Sequence, residues 1–294
     1  MMYLALSILF SSLIFVIFKL YAKYQVQTIY AIITNYFVAC TVGIIYYDEP
    51  IHLAEIPQKS WFWGSVALGL LFILIFNLMA ATSQKLGVSV ASVATKMSLT
   101  IPVLFGVFFY KESLGVLEII GIILALLAVY FTSLKEKKIK AEKWAFALPV
   151  LVFLGSGTID TSIKYFQDAH MPEEEYALFS ATVFAAAGIF GLFFIAFKST
   201  KQRLKINFKN ILGGICLGIP NYFSIYFLLK ALQHPTWNSA AVFTINNVAI
   251  VMFSTLLGIL LFRERLTIKN WFGIGLAIFS IILVAFGQQL MTFI

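Results

Sequence analysis

The sequence predicts an all-α polytopic membrane protein, and three observations lead to this fold class. Hydrophobic residues make up 61% of the chain and charged residues only 12%, whereas soluble domains carry about 45–50% apolar and about 25% charged residues. The apolar residues form continuous runs of about 20, the length that a helix needs to cross the hydrocarbon core. Within these runs polar and apolar residues do not alternate, which excludes a transmembrane β-barrel.

The apolar runs divide the chain into ten predicted transmembrane helices. Their ranges are 2–22, 28–47, 61–83, 89–110, 113–134, 144–166, 175–198, 208–232, 237–262 and 268–289. The link at 135–143, KEKKIKAEK, is the natural boundary between two halves. We therefore expect a first five-helix repeat at 1–134, a charged linker at 135–143 and a second five-helix repeat at 144–294.

The two halves resemble each other in sequence. The turn KESL at 111–114, after the fourth span, corresponds to RERL at 263–266, after the ninth. Because each half has an odd number of spans, the second half enters the membrane from the opposite side, which makes two inverted repeats, as in many secondary transporters. We expect both charged turns to be structural, anchoring helix ends at the membrane surface.

The basic residues indicate an orientation. Most of the 21 lysines and arginines fall on the face opposite the two termini; we call it the basic face, and the other the terminal face. The positive-inside rule places the basic face in the cytoplasm, so the termini are expected outside. The same distribution at helix ends explains the net charge of +8 without a nucleic-acid partner.

The order of elements resembles the drug/metabolite transporter superfamily, in its ten-helix EamA-type branch. The resemblance covers nearly the whole chain and rests on the two five-span halves and on a pattern in the fourth span of each. The first half carries Ala91, Ser92, Val93, Pro102 and the 111–114 turn, and the second carries Ala240, Ala241, Gly258 and the 263–266 turn, with Ser254 in place of the proline.

This resemblance implies that spans one to four and six to nine surround a central cavity, with spans five and ten at the periphery. It implies export or exchange of small metabolites, often amino acids or related compounds. Two features depart from it: the family is usually drawn with cytoplasmic termini, and it often carries an arginine in the second span, where this chain has Thr34-Asn35-Tyr36-Phe37.

A lysine inside the fourth span is the first candidate for substrate binding. Lys96 lies about 10 Å from the basic-face end at 1.5 Å per residue, where a charge costs at least about 2.5–3.5 kcal/mol and usually faces a cavity or a partner. It is a candidate ligand for a substrate carboxylate; the alternative is that its ammonium snorkels to the basic face. The same arithmetic places Asn35 and Asn77 in one polar layer with Lys96, although each amide can instead bond to a neighbouring helix.

Asp160 is the acidic residue deepest in a span, and it is the second candidate. Its predicted depth is about 24 Å from the basic-face end, about 14 Å from the Lys96 level, which predicts no direct salt bridge between the two. Asn221, near the Asp160 level, follows Pro220, which frees a backbone carbonyl. Asp160 is a candidate for binding a substrate ammonium or a coupling proton; the alternative is a buried acid kept neutral by desolvation.

Further candidates lie in spans eight and nine. Asn246 and Asn247 occupy the middle of span nine, and because neighbouring residues point about 100° apart on a helix, at most one faces the cavity. Tyr222 is a candidate to wall that cavity, with packing or lipid contact as the alternative. No metal and no cofactor is expected, because the histidines and cysteines are far apart in sequence and no phosphate-binding loop is present.

These patterns favour a secondary active transporter, an exporter or exchanger of small metabolites, in the cell (plasma or inner) membrane. We expect a metabolite, the lipid bilayer and, as a candidate coupling ion, the proton as partners, and a monomer or homodimer as the assembly. A passive channel and a non-transporting scaffold remain alternatives. An intramembrane enzyme is disfavoured, because Asp160 has no second deep aspartate and neither HExxH nor GxSxG occurs.

Overall fold

The chain folds into ten α-helices in a computed structural model that describes residues 2–47, 52, 54–102, 104–105, 115–133, 145, 147–170, 175–199, 207–232 and 239–291. The helices are α1 (Met2–Lys23), α2 (Thr28–Ile45), α3 (Phe62–Lys85), α4 (Val88–Met97), α5 (Val116–Ser133), α6 (Ala147–His170), α7 (Tyr176–Ser199), α8 (Phe208–Leu232), α9 (Ser239–Phe262) and α10 (Ile268–Met291). A 3₁₀ turn, Ile56–Gln58, precedes α3. No strand occurs within these ranges, and the predicted all-α class is confirmed.

Six of the helices are individually long and apolar enough to cross a membrane. They are Met2–Lys23, Thr28–Ile45, Phe62–Lys85, Tyr176–Phe197, Phe208–Leu228 and Ile245–Phe262. Shorter apolar helices cover Ile119–Thr132, Ala147–Ile163 and Ile268–Leu283. Helices satisfy their own backbone groups, which hydrocarbon requires, so the chain is a polytopic membrane protein.

The fourth span is not one continuous helix, contrary to the prediction for 89–110. The helix α4 ends at Met97, Ser98 and Leu99 form a turn, and helical residues resume at Thr100. Pro102 explains the break, because its ring clashes with the carbonyl four residues earlier, that of Ser98, and it has no N–H to bond there. Instead, the Ile101 N–H donates to the Ser98 carbonyl at 2.9 Å, a tighter 3₁₀-type turn. The interruption follows directly after Lys96.

Helix packing reproduces the inverted repeat. The helix α1 packs on α8 and α9, and its counterpart five helices later, α6, packs on α3 and α4. In the same way α2 packs on α7 and α8, while α7 packs on α2 and α3. Each helix of one half therefore finds the equivalent neighbours in the other half, as a two-fold relation between the halves requires.

The helices α5 and α10 pack most closely on each other and lie at the edge of the bundle, which they contact mainly through α4 and α9. Apolar side chains of α5 such as Ile119, Ile123, Leu126 and Tyr130 are exposed. This is the peripheral position that the resemblance implied for spans five and ten.

Two glycines allow close approach in two equivalent helix pairs, α3 with α7 and α8 with α2. A Cβ on Gly69 of α3 would lie 2.7 Å from the backbone nitrogen of Ala187 in α7, and a Cβ on Gly218 of α8 would lie 2.9 Å from the Asn35 carbonyl in α2. Both contacts are backbone to backbone, as in the small-residue crossings of membrane helices.

Candidate functional site

The break in α4 places Lys96 beside an opening between helices. Lys96 occupies the last turn of α4 and is half-buried. A small opening of about 10 Å³, the space of roughly one water molecule, adjoins it and is lined by Lys96, Met97, Leu99, Thr100, Ser280 and Ile281. Because α4 ends one residue after Lys96, the side chain of Lys96 lies beside non-helical backbone. Membrane proteins tolerate such backbone only where it is buried in protein or lines a cavity.

Asp160 of α6 lies at the same break. The Ser98 hydroxyl oxygen is 3.3 Å from Asp160 Oδ2 and 2.6 Å from the Thr95 carbonyl oxygen. A hydroxyl has one proton to donate, so Ser98 can serve only one of these acceptors at a time. Asp160 also retains accessible surface, so it is not enclosed by its contact with Ser98.

Lys96 and Asp160 carry opposite charges into one region without touching. They interact electrostatically, but they do not form one of the ion pairs found within the described ranges. The two residues come from different halves, since α4 belongs to the first and α6 to the second. The arrangement therefore presents a cation and an anion from both sides of the interface between the halves.

The predicted separation of about 14 Å between the Lys96 and Asp160 levels was wrong, because Ser98, two residues after Lys96, reaches Asp160. The estimate counted depth from the start of each helix. The helix α6 has 24 residues, about 36 Å at 1.5 Å per residue, which exceeds the hydrocarbon core of about 30 Å. A helix of this length either tilts or extends beyond the core, so the distance counted from its first residue overstates depth.

Asn35 and Asn221 form a direct contact between α2 and α8. The Asn221 side-chain amide donates to Asn35 Oδ1 at 3.2 Å, while the Asn35 amide is 3.4 Å from the Ile32 carbonyl of its own helix. Both side chains are buried. The prediction placed the two asparagines at different levels, and their hydrogen bond shows that they share one. The starts of α2 and α8 lie side by side at Gln27 and Asn210, so residue counts along two differently inclined helices do not measure relative depth.

Asn246 belongs to a second buried polar contact, between α1, α8 and α9. The Ser7 hydroxyl is 3.2 Å from Asn246 Oδ1 and 2.9 Å from the Ser224 carbonyl. Ser7 is fully buried, and the neighbouring candidate Asn247 is buried as well. Serines such as Ser7 and Ser98 were missed by the sequence analysis, because serine is common in membrane helices and carries no periodic signal.

The remaining candidates stand apart from Lys96. The Asn77 amide donates to the Ile73 carbonyl of its own helix at 2.7 Å, and no hydrogen bond joins Lys96, Asn35 and Asn77 to one another among the described side chains. Tyr222 is half-buried and stacks on Tyr226 with ring centroids 6.1 Å apart. The predicted layer of Lys96 with Asn35 and Asn77 stays a prediction; in the structure both asparagine amides donate to carbonyls of their own helices.

Ion pairs join the two halves at opposite ends of the bundle. At the terminal face, Lys59 Nζ is 2.6 Å from Glu175 Oε1, and the Trp61 indole N–H donates to Glu175 Oε2 at 2.5 Å. At the basic face, Lys19 Nζ is 3.6 Å from Glu264 Oε1. The hydrogen bond to Glu175 raises the pKa of Lys59. Partial burial acts to raise the pKa of Glu175, but the hydrogen bonds from Lys59 and Trp61 outweigh it and hold that pKa below its ordinary value.

No group of three or more His, Cys, Asp or Glu side chains that could hold a metal ion occurs in the described part of the chain. The chemistry of the site is therefore carried by one ammonium group, one carboxyl group, hydroxyls and amides. Such groups bind and orient a polar solute.

Ten helices in two inverted halves, with opposite charges at their interface inside the bundle, define a polytopic membrane protein with a repeat architecture. The model of the EamA-like transporter family matches residues 1–134 and 143–286. The chain belongs to the EamA-like transporter family, whose two repeats are those of the drug/metabolite transporter superfamily, and this makes it a membrane transporter of small molecules.

Two individual comparisons agree with this family. A protein of Haemophilus influenzae, described as an uncharacterized protein, is 28% identical over 283 residues, which cover 92% of this chain and 93% of the relative. A solved crystal structure aligns with a TM-score of 0.59 at 15% identity, covering 99% of this chain and 97% of the other. The structural likeness supports the fold.

Proposed function

We propose that this protein is a secondary active transporter that exports or exchanges small metabolites, such as amino acids or related amphiphiles, across the cell (plasma or inner) membrane. It works by alternating access, with the two halves rocking around a site between them. The observation that carries this proposal is the placement of Lys96 and Asp160, two opposite charges from different halves that lie on either side of the break after α4.

A pair of unlike charges inside a membrane is costly unless each charge has a partner. Lys96 and Asp160 interact without forming a direct ion pair, and Ser98 supplies a single proton that Asp160 shares with the Thr95 carbonyl. A solute with a carboxylate and an ammonium group would provide a partner of opposite charge for both Lys96 and Asp160. We therefore assign the substrate carboxylate to Lys96 and the substrate ammonium to Asp160.

The other polar candidates act around this pair. Asn35 with Asn221, and Asn246 with Ser7, join helices of opposite halves, so their hydrogen bonds must adjust when the halves rock. Asn77, Tyr222 and Asn247 line the path that the remainder of the substrate follows. When no substrate ammonium is present, Asp160 is the group that takes up a coupling proton, and the driving force is then the proton gradient.

Proteoliposomes with the purified protein provide the test. The vesicles are loaded with one unlabelled amino acid, and uptake of the labelled amino acid is followed without any other driving force. A carrier gives saturable uptake that the internal amino acid accelerates. Linear, non-saturating flux would identify a passive channel, and the absence of flux for the whole panel of standard amino acids would favour a scaffold.

The panel also tests the two charge assignments. For each transported amino acid it includes the carboxylic acid without the amino group and the amine without the carboxyl group. We expect both analogues to be poor substrates, because each leaves one buried charge without its partner. Equal transport of the carboxylic acid would contradict the role of Asp160, and equal transport of the amine would contradict that of Lys96. Light scattering of the purified protein distinguishes a monomer from a homodimer.

A further inference from the structure

Glu264 of the second half binds the N-terminus of a first-half helix, α4. Its carboxylate accepts a hydrogen bond from the Val88 backbone N–H at 2.9 Å and lies 3.4 Å from the Ser89 hydroxyl. The first N–H groups of a helix have no partner within the helix and carry the positive end of its dipole. A carboxylate at this position satisfies both, so the contact is a cap supplied by the opposite half.

The cap fits a space that two glycines create. A Cβ on Gly87 would lie 2.9 Å from Glu264 Oε2, and a Cβ on Gly258 would lie 2.7 Å from the same oxygen. Gly87 also has φ +118°, a conformation that other residues rarely adopt. Glu264 is therefore held in a specific recess, and its position does not result from a loose surface attraction.

Lys19 extends the contact to two further helices of the first half. Its ammonium group is 3.6 Å from Glu264 Oε1 and donates to the Gln84 carbonyl in the last turn of α3 at 3.2 Å. The negative end of α3 thus faces a cation and the positive end of α4 faces an anion. We call the set of Glu264, Lys19, Val88 and Ser89 the Glu264 contact.

The Glu264 contact controls the helix that carries Lys96. The helix α4 has only 10 residues, is capped by Glu264 at one end and is interrupted at Ser98 at the other. Such a short segment can move as one piece, because the turn at Ser98 and Leu99 separates it from the helical residues that follow. Release of its N-terminus at the basic face therefore displaces Lys96 relative to Thr100 and opens the small pocket that the two residues line.

We propose that the Glu264 contact is the gate that closes the basic-face entrance to the opening beside Lys96, with Glu264 as the positioning residue of α4. This proposal rests on the proposed transport function, because a gate has a role only in a transporter, but the labelling experiment that tests it requires no transport. At the terminal face, Lys59 and Glu175 join the halves in the same manner. With both contacts formed, the structure holds the halves together at both ends, and transport requires them to open in turn.

The two faces are closed by different chemistry. The N-termini of α3 and α7 meet at Lys59 and Glu175, an ion pair, whereas the equivalent N-termini of α8 and α2 meet at Asn210 and Gln27. There the Asn210 amide donates to Gln27 Oε1 at 3.1 Å. The amide pair carries no charge, so the charged component of the basic-face closure is left to Glu264.

Thiol labelling tests the gate without any substrate. Cys40 and Cys216 are replaced by alanine, and a single cysteine is introduced by Ser89→Cys, at the contact, or by Thr100→Cys, at the Lys96 pocket; both native side chains are buried. A membrane-impermeant maleimide is applied to the basic face of oriented membranes. In the Glu264→Ala background we expect labelling at both positions to rise at least about tenfold, equivalent to about 1.4 kcal/mol.

Control variants separate a gate from a local cap. Arg265 lies in the same turn and is exposed, so Arg265→Ala should leave both labelling rates unchanged. Glu264→Gln retains a hydrogen-bond acceptor for Val88 but not the charge for Lys19, and should give intermediate rates. A rise at position 89 alone would reduce Glu264 to a local cap and overturn the proposal, as would unchanged rates at both positions. A failure of the amino acid flux assay would refute the proposed function while leaving this result intact.

Discussion

Replacing Lys96 by methionine removes the ammonium group and leaves an unbranched side chain of similar length. We expect this substitution to preserve or raise the stability of the protein and to reduce its transport activity. Lysine near the centre of a membrane helix costs about 2.5–3.5 kcal/mol on insertion scales. Lys96→Met should therefore insert and fold at least as well as the wild type, which distinguishes it from a disruptive core mutation.

Transport should fall steeply. Removing one partner of a buried, hydrogen-bonded charge pair costs about 2–5 kcal/mol. At about 1.4 kcal/mol per factor of ten, this is a loss of about 30-fold to several thousand-fold in transport efficiency. We expect most of the loss in the substrate concentration at half-maximal rate, since Lys96 contacts the substrate in the bound state.

The assay is the initial rate of counterflow in proteoliposomes with equal amounts of each purified variant. Lys96→Arg keeps the charge but not the shape, and should be less impaired than Lys96→Met. The matched control is Lys209→Met, the same change at an exposed lysine in the first turn of α8, for which we expect wild-type rates. Wild-type kinetics in Lys96→Met, at normal protein levels, would refute the assignment of Lys96 to the site.

Three further variants test individual contacts. Ser98→Ala removes the hydroxyl beside Asp160, and we expect a loss of about 1–3 kcal/mol in unfolding free energy together with weaker binding of amino acids. The Lys59–Glu175 pair at the terminal face contributes its full stabilisation between the ordinary pKa values of its two groups, 4.5 for Glu175 and 10.5 for Lys59. This stabilisation is lost as the pH falls through the lowered pKa of Glu175, and also as the pH rises through the raised pKa of Lys59. The advantage of the wild type in melting temperature over Glu175→Gln should accordingly shrink as the pH falls below 4.5; an advantage that does not shrink there would contradict the pair. Pro102→Ala permits helix across the break, and should raise the melting temperature while slowing counterflow; unchanged rates would show that the interruption is not needed.

The architecture was predictable because it depends on patterns that membranes impose. The number of spans follows from the length of the apolar runs, and the inverted repeat follows from an odd number of spans per half. The turn at 263–266 was expected to anchor helix ends, and Glu264 does so. Its counterpart at 111–114 lies outside the described residues. The orientation of the termini stays a prediction.

Contacts between helices were not predictable, since the sequence does not give the relative heights of the helices. Asp160 meets Ser98, and Asn35 meets Asn221, although residue counts along the helices placed each pair at different depths, because such counts ignore how each helix is inclined. The break after Lys96 had a visible cause in Pro102, but a proline in a membrane helix often produces only a kink, as the continuous helix around Pro220 shows. Which helix end Glu264 caps depends on residues 176 positions apart in the chain, and no local pattern encodes that choice.

The recess around Glu264 also constrains how this sequence can diverge. Gly258 lies in a helix with an ordinary backbone, and apart from Glu264 a Cβ there would meet Val88 at an acceptable 3.4 Å. Once a relative has replaced Glu264 by a smaller residue, position 258 becomes free to accept alanine, whereas Gly87 remains fixed by its positive φ. Positions 258 and 264 should therefore covary among homologues and position 87 should not, so an alignment can recover a contact that a single sequence conceals.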